Sequence, residues 1–114
     1  MEPGRLRHRV TVMTAVEVDD GHHGFDETVL TIASRIPAEV LPLSGAALAR
    51  AQQIDPRATH MVRLRFRTGL ETGQTVTYHT ASGDRPFEIV APPRDLEERH
   101  VELQLLCKEQ AVTT

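Results

Sequence analysis

Tryptophan is missing from these 114 residues, tyrosine occurs once and phenylalanine three times. A core cannot be built around large aromatic anchors, so it falls to valine and leucine. One cysteine, Cys107, excludes an internal disulfide and fits synthesis in a reducing compartment. No apolar run approaches the ~18 residues of a membrane-spanning helix, so no membrane partner is expected. The opening MEPGRLRHRV has no apolar signal core, so export through a signal peptide is not expected either. Lysine is nearly missing too: of 13 basic residues only Lys108 is not arginine. Sixteen acidic residues outweigh them to a net charge of −3, which excludes a strongly basic nucleic-acid binder. Neither a phosphate-binding loop nor a dinucleotide fingerprint is present.

What remains is a chain of one-domain size, 12.7 kDa, spanning residues 1–114 with a short tail from about 109. Area scaling gives burial of roughly two-thirds of the unfolded surface, adequate for one modest core.

Period-two alternation is the dominant signal. Leu6, His8, Val10, Val12, Thr14, Val16 and Val18 alternate with Arg7, Arg9, Thr11, Met13, Ala15 and Glu17, as in a half-buried strand. A polar loop from Asp19 to Gly24 interrupts it. A second strand follows, with Thr28, Leu30, Ile32, Ser34, Ile36, Ala38 and Val40 on one face and Pro37 and Pro42 marking an edge or a bend. Ser44 to Gln53 is the one helical stretch, with Ser44 as N-cap, Gly45 weakening the first turn and Asp55-Pro56 ending it. Ten residues make a marginal helix. His60 to Arg67 forms a third strand, and Thr75–Thr80 and Phe87–Val90 form a hairpin across Ala81-Ser82-Gly83-Asp84. A charged loop runs from Pro92 to Arg99. Val101, Leu103, Leu105 and Cys107 then line the apolar face of a last strand, a pattern that Leu106 spoils. Six strands and one small helix predict a small antiparallel barrel or sandwich.

Side chains with chemistry are weakly organised. His22-His23 has no second ligand pair at a metal-binding spacing, and Asp19, Asp20 and Asp26 lack the order of a calcium loop. Cys107 falls on an apolar strand face, where an inert thiol is the default. Neither a catalytic constellation nor a cofactor is predicted. Arginine ladders stand out instead: Arg5, Arg7 and Arg9 line the polar face of the first strand, and Arg63, Arg65 and Arg67 that of the third. Such a face suits phosphates, DNA or an acidic partner, or is an ordinary solvated face paired with Glu and Asp. Residues 1–67 carry nine basic and eight acidic groups, residues 68–114 four and eight. Copies with one acidic end could stack head to tail, with Asp95, Glu97 and Glu98 as the exposed acidic patch.

The order of segments resembles the head-tail joining proteins of long-tailed phages, also called head closure, head completion or stopper proteins. Gly4-Arg5-Leu6-Arg7-His8-Arg9-Val10-Thr11-Val12 is similar to their first strand, and Gly21 to Gly24 followed by Phe25-Asp26-Glu27 to their glycine loop. Ala38-Glu39-Val40-Leu41-Pro42-Leu43-Ser44-Gly45 resembles their V-x-P-L-S-G segment and Ala49-Arg50-Ala51-Gln52-Gln53 their A-x-Q helix. His60 to Arg67 is similar to H-x-V-x-I-R-Y-R, and Val101 to Glu109 to the closing E-L-E-L-L-C-x-E. The resemblance covers roughly residues 4 to 109.

The resemblance implies a mainly β fold, a small antiparallel β-barrel of about six strands with one short helix or loop insertion after the second strand. It also implies a structural virion protein of the neck, made in the bacterial host cytoplasm and assembled as a homo-oligomeric ring. Its partners would be an adaptor protein above, a tail terminator or tail tube protein below, and packaged double-stranded DNA held non-specifically in the channel. The segment that gates the channel in such proteins corresponds here to Leu41, Pro42, Leu43, Ser44, Gly45, Leu48, Arg50, Gln52, Gln53, Ile54 and Asp55. The alternative is a short cap over one barrel end. The arginine ladders would face neighbouring subunits or DNA. This chain departs from the family in the small Ala46, Ala47 and Ala49 of the gate segment and in a Tyr78–Phe87 hairpin longer than the family's tight turn. Neighbouring roles, an adaptor or tail-terminator ring or the same part in a gene-transfer particle, share the pattern. Rivals from other classes are a small nucleic-acid-binding barrel, for which few stacking aromatics are available, and a metal hydrolase using His22 and His23.

Overall fold

The computed structural model describes residues 6–19, 21, 24–95 and 98–110. Its elements run β1 (His8–Asp19), β2 (Phe25–Pro42), α1 (Gly45–Ile54), β3 (His60–Arg65), β4 (Thr75–Thr80), β5 (Gly83–Ile89), β6 (Arg94–Asp95) and β7 (Glu102–Glu109). All strand pairings are antiparallel, in the order β3-β2-β1-β4-β5-β7, and β3 pairs back onto β7 to close a six-stranded barrel. Closure leaves no barrel strand as an open edge over its paired length. The extra strand β6 pairs with the first part of β7, setting Arg94 opposite Gln104.

Alternation fills the barrel as the pattern dictates. Val10, Val12, Val62, Val76, Phe87, Ile89, Leu105 and Cys107 are wholly buried, with Leu64 and Leu103 nearly so. His8, on the same face, is half-buried; its Nδ1 accepts the Val40 amide at 2.9 Å and its ring lies 4.9 Å from that of Tyr78. Phe66 packs against this core while keeping partial exposure.

Two β-bulges in β2 modify the expected second strand. Val10 pairs with Ile36 and Val12 with Ala33, so Ser34 and Arg35 share the place opposite Thr11. Ile32 is extra before Met13 pairs with Thr31. Arg35 takes φ +48°, the left-handed conformation such a bulge uses, and its amide donates to Thr11 Oγ1 at 3.1 Å. Ala33 therefore faces the core in place of Ser34, which is exposed. Pro37 does mark a turning point: β2 pairs with β1 up to Ala38, and its ladder with β3 begins there. Beyond the bulges the β1–β2 hairpin runs on as a two-stranded ribbon, and Leu30 keeps inward parity there but is 49% exposed.

Other expectations are corrected too. Thr80 pairs with Gly83, so the β4–β5 hairpin has a tight two-residue turn at Ala81-Ser82. Val101 lies just before β7 and is 47% exposed. Glu109 ends β7 rather than starting a tail, and the Gln110 amide donates to Pro86 O at 2.9 Å.

Leu106, the residue that spoils the alternation, points out of the barrel into a second small core with Ala51, Ala58, Val90 and Ala91, against which Leu43 and Met61 pack. Helix α1 thus lies against the outer wall of β3 and β7 and does not cap a barrel end.

Candidate functional site: the arginine wall and the helical insertion

Strand register decides which of the ladder residues meet. Strand β2 separates β1 from β3, but outward residues continue across it. The Arg9↔Pro37 pair of the β1–β2 ladder and the Ala38↔Leu64 pair of the β2–β3 ladder bring Arg9, Pro37 and Arg65 into one transverse row. The next row holds Glu39, Arg63, Gln104 and Arg94, with Arg7 one residue before His8, the partner of Ala38. The two ladders thus share one wall of the barrel. Arg5 lies outside the described residues.

The wall is partly self-neutralised. Arg63 Nη1 donates to Glu39 Oε1 at 3.3 Å, and its Nε lies 3.9 Å from Glu102 Oε1. Arg7 and Arg9 are exposed, and Arg7 has an interaction of its own. Among the described residues, Arg9, Arg65 and Arg67 form no ion pair. The Nε of Arg67 is buried without an acceptor. Arg65 and Arg67 flank a hollow of about 180 Å³ whose other walls are Ile36, Pro37 and Phe66.

The helical insertion is held lightly. Ser44 sits at the N-cap with extended backbone, but its side chain makes no capping hydrogen bond. Gly45 adopts φ +55° with open space around it, which lets the chain turn sharply into the helix. Among the helix residues only Ala51 is buried. Leu48 is half-buried, whereas Gln52, Gln53 and Ile54 are exposed. Leu41 lies beside Met61 in the β2–β3 ladder and Pro42 opposite His60. The Leu43 amide donates to Thr59 O at 3.0 Å. Arg57 Nη2 binds Asp55 Oδ2 at 3.0 Å, and this guanidinium holds the Asp55 carboxyl below its usual range. A hollow of about 150 Å³ runs under the helix between Arg50 and Arg94.

One hydrogen-bonded line is not signalled by any sequence motif. Thr11 Oγ1 lies 2.7 Å from His79 Nε2, and His79 Nδ1 lies 2.9 Å from Asp84 Oδ1. Hydroxyl, imidazole and carboxylate stand in the order of an acyl-transfer triad. The same Thr11 oxygen, however, accepts the Arg35 amide, so the line ties the bulge of β2 across β1 to the β4–β5 hairpin. It acts as a cross-strand staple. Cys107 is 0% exposed, and burial pushes its thiol up to about 12, leaving it protonated and unreactive. Among the described residues no group of three His, Cys, Asp or Glu is placed to hold a metal ion. His22, His23 and Asp20 fall outside those residues. No described helix is long and apolar enough to cross a membrane.

The solution structure of protein SF1141 from Shigella flexneri 2a has the same fold, with a TM-score of 0.76 and 24% sequence identity over 99% of this chain and 100% of that one. A search of curated proteins gives no significant match. A profile of the phage head completion proteins matches residues 1–110, nearly the whole chain. The chain therefore belongs to the phage head completion protein family, structural proteins of the virion that serve the connection between head and tail.

Proposed function

We propose that the chain is the stopper subunit of the head–tail connector: copies form a ring below the portal and adaptor, close the DNA channel after packaging, and offer the surface on which the tail docks. The observation that carries this reading is the family match over residues 1–110, on a barrel whose one large insertion is a lightly held helix. The insertion, Leu41 to Asp55, is the channel-gating segment. A helix anchored through Ala51 alone, without a side-chain cap, can leave the wall while the closed barrel beneath stays folded. Its exposed residues are small or polar apart from Ile54, so a plug made from it would be built from several copies of Leu48, Gln52, Gln53 and Ile54 converging on the axis.

Deleting the gene in the phage tests this. The expected particles are full-length heads that package DNA, leak it and carry no tails, with tailing restored by the chain supplied in trans. Tailed, infectious particles from the deletion would contradict the reading. Heads that keep their DNA but remain tailless would leave the docking role and remove the gate.

A further inference from the structure

Among the described residues, β1 past Met13 pairs only with β2, and β2 before Ala38 pairs only with β1. The ribbon made by residues 14–19 and 25–30 therefore projects from the barrel, consistent with a molecule 50 Å long and 26 Å thin. Exposure and charge both set it apart. Val29 and Leu30, near the base of the ribbon opposite Ala15 and Thr14, are large apolar side chains left 59% and 49% exposed. Its sequence carries Glu17, Asp19, Asp26 and Glu27 and no cation, and the register sets Glu17 directly opposite Glu27. Like charges directly opposite in a ladder destabilise it unless a cation comes between them.

The complementary surface is the arginine-flanked hollow. Its apolar lining is Ile36, Pro37 and Phe66, and its charged lining is Arg65 and Arg67, which have no carboxylate partner among the described residues. An apolar side chain beside a carboxylate fits a hollow of this kind, and the Ala15↔Val29 pair, two residues from the exposed Glu17, is such a group. The chain's own ribbon cannot supply it. Val29 lies seven residues before Ile36 on the same strand, roughly 20 Å away at ~3.3 Å per residue, and the ribbon runs away from the wall.

We propose that the occupant is a second copy of this chain: the β1–β2 ribbon of one subunit lies on the Arg65–Arg67 hollow of the next, with Val29 against Pro37 and Phe66, and Glu17 facing the arginines. Ribbon and hollow are different surfaces, so the contact is heterologous and repeats head to tail, as a closed ring requires. This rests on the ring reading above and names the surfaces that build it.

Cysteine cross-linking in assembled particles tests it, since Cys107 is buried and does not compete. Full-length chain carrying both Val29→Cys and Pro37→Cys, at two exposed positions, is expected to give a ladder of disulfide-linked multimers extending past the dimer on oxidation. Either substitution alone should give no ladder. A product that stops at the dimer overturns the head-to-tail contact. A wild-type ring visible in the neck whose double-cysteine form does not cross-link overturns the contact and leaves the ring. Necks without any ring of this chain overturn both. Glu17→Arg and Arg65→Glu give an independent arm: each alone is expected to lower incorporation at least about tenfold by opposing like charges, and the pair together to restore it, with thermal midpoints unchanged. Additive loss in the double variant overturns the pairing.

Discussion

Met61 lies directly opposite Leu106 in the β3–β7 ladder, on the outside of the barrel, and the pair forms the bed on which α1 rests through Ala51. The interior of the barrel does not involve this contact. Substituting Leu106→Ala should destabilise by about 2–5 kcal/mol, the range for a buried leucine. Ala51→Glu should do something different: it forces a charge into that bed, so α1 should detach first. Hydrogen exchange is the check. The expected result is lost protection at Leu48–Asp55 with the β4, β5 and β7 amides still protected; uniform loss would mean that helix and barrel unfold as one unit.

The Thr11–His79–Asp84 line predicts a structural and not a chemical phenotype. Thr11→Val removes the acceptor for the Arg35 amide and the partner of His79. It should lower stability by about 1–3 kcal/mol, the effect of leaving such groups unpaired. His79→Ala should act in the same direction, and the double variant should lose less than the sum, since both cut one network. Chemical denaturation of the single and double variants supplies the comparison.

Most of the barrel was legible from alternation alone, because Val10, Val12, Val62, Leu64, Leu103 and Leu105 keep strict period two within straight strands. Helix α1 was legible too, ending at Asp55 as the Asp-Pro step indicates. Bulges were not. They depend on what lies across the ladder, and nothing local in Ala33-Ser34-Arg35 announces that Arg35 will take a positive φ. Leu106 looked like a fault in the pattern because a strand in a closed barrel has one buried face by default. The second core exists only because α1 folds back over it. Leu30 shows the converse: its parity was right, but the barrel had already ended. The arginine ladders were visible as two rows, whereas their meeting across β2, and the pairing of Arg63 with Glu39, needed the register.

Backbone strain at the bulge gives a sign-specific prediction. At φ +48° a side chain is disfavoured by roughly 1–2 kcal/mol, an effect largest for β-branched residues. Arg35→Gly should therefore be neutral or stabilising, while Arg35→Val should be destabilising. Melting temperatures of the two variants should move apart; a shared downward shift would mean that the Arg35 side chain, not the backbone, matters.

Acid should weaken the fold in two steps. Burial against Phe87, whose ring lies 4.8 Å away, and the Arg85 charge hold His60 below its ordinary 6.5, with Glu109 opposing them. The unfolded chain then binds this proton more readily, so stability falls as pH drops below about 6.5. Glu109 is held below its ordinary 4.5 by the two hydrogen bonds from Arg85, at 2.7 and 2.9 Å. Its contribution is present above 4.5 and is lost as pH falls through the lower folded value. His60→Gln should flatten the first step and leave the second, and Arg85→Met should flatten the second. Urea midpoints between pH 3.5 and 8 provide the measurement.

The proposed role of this chain is that of a ring subunit of the neck. Its most direct test is image reconstruction of the neck in purified particles, with the chain located by its barrel and projecting ribbon. The expected density is a ring of copies around the channel between head and tail, each with its insertion toward the axis. A neck whose density is fully accounted for by other proteins, in particles from which this chain is absent by mass spectrometry, would contradict it.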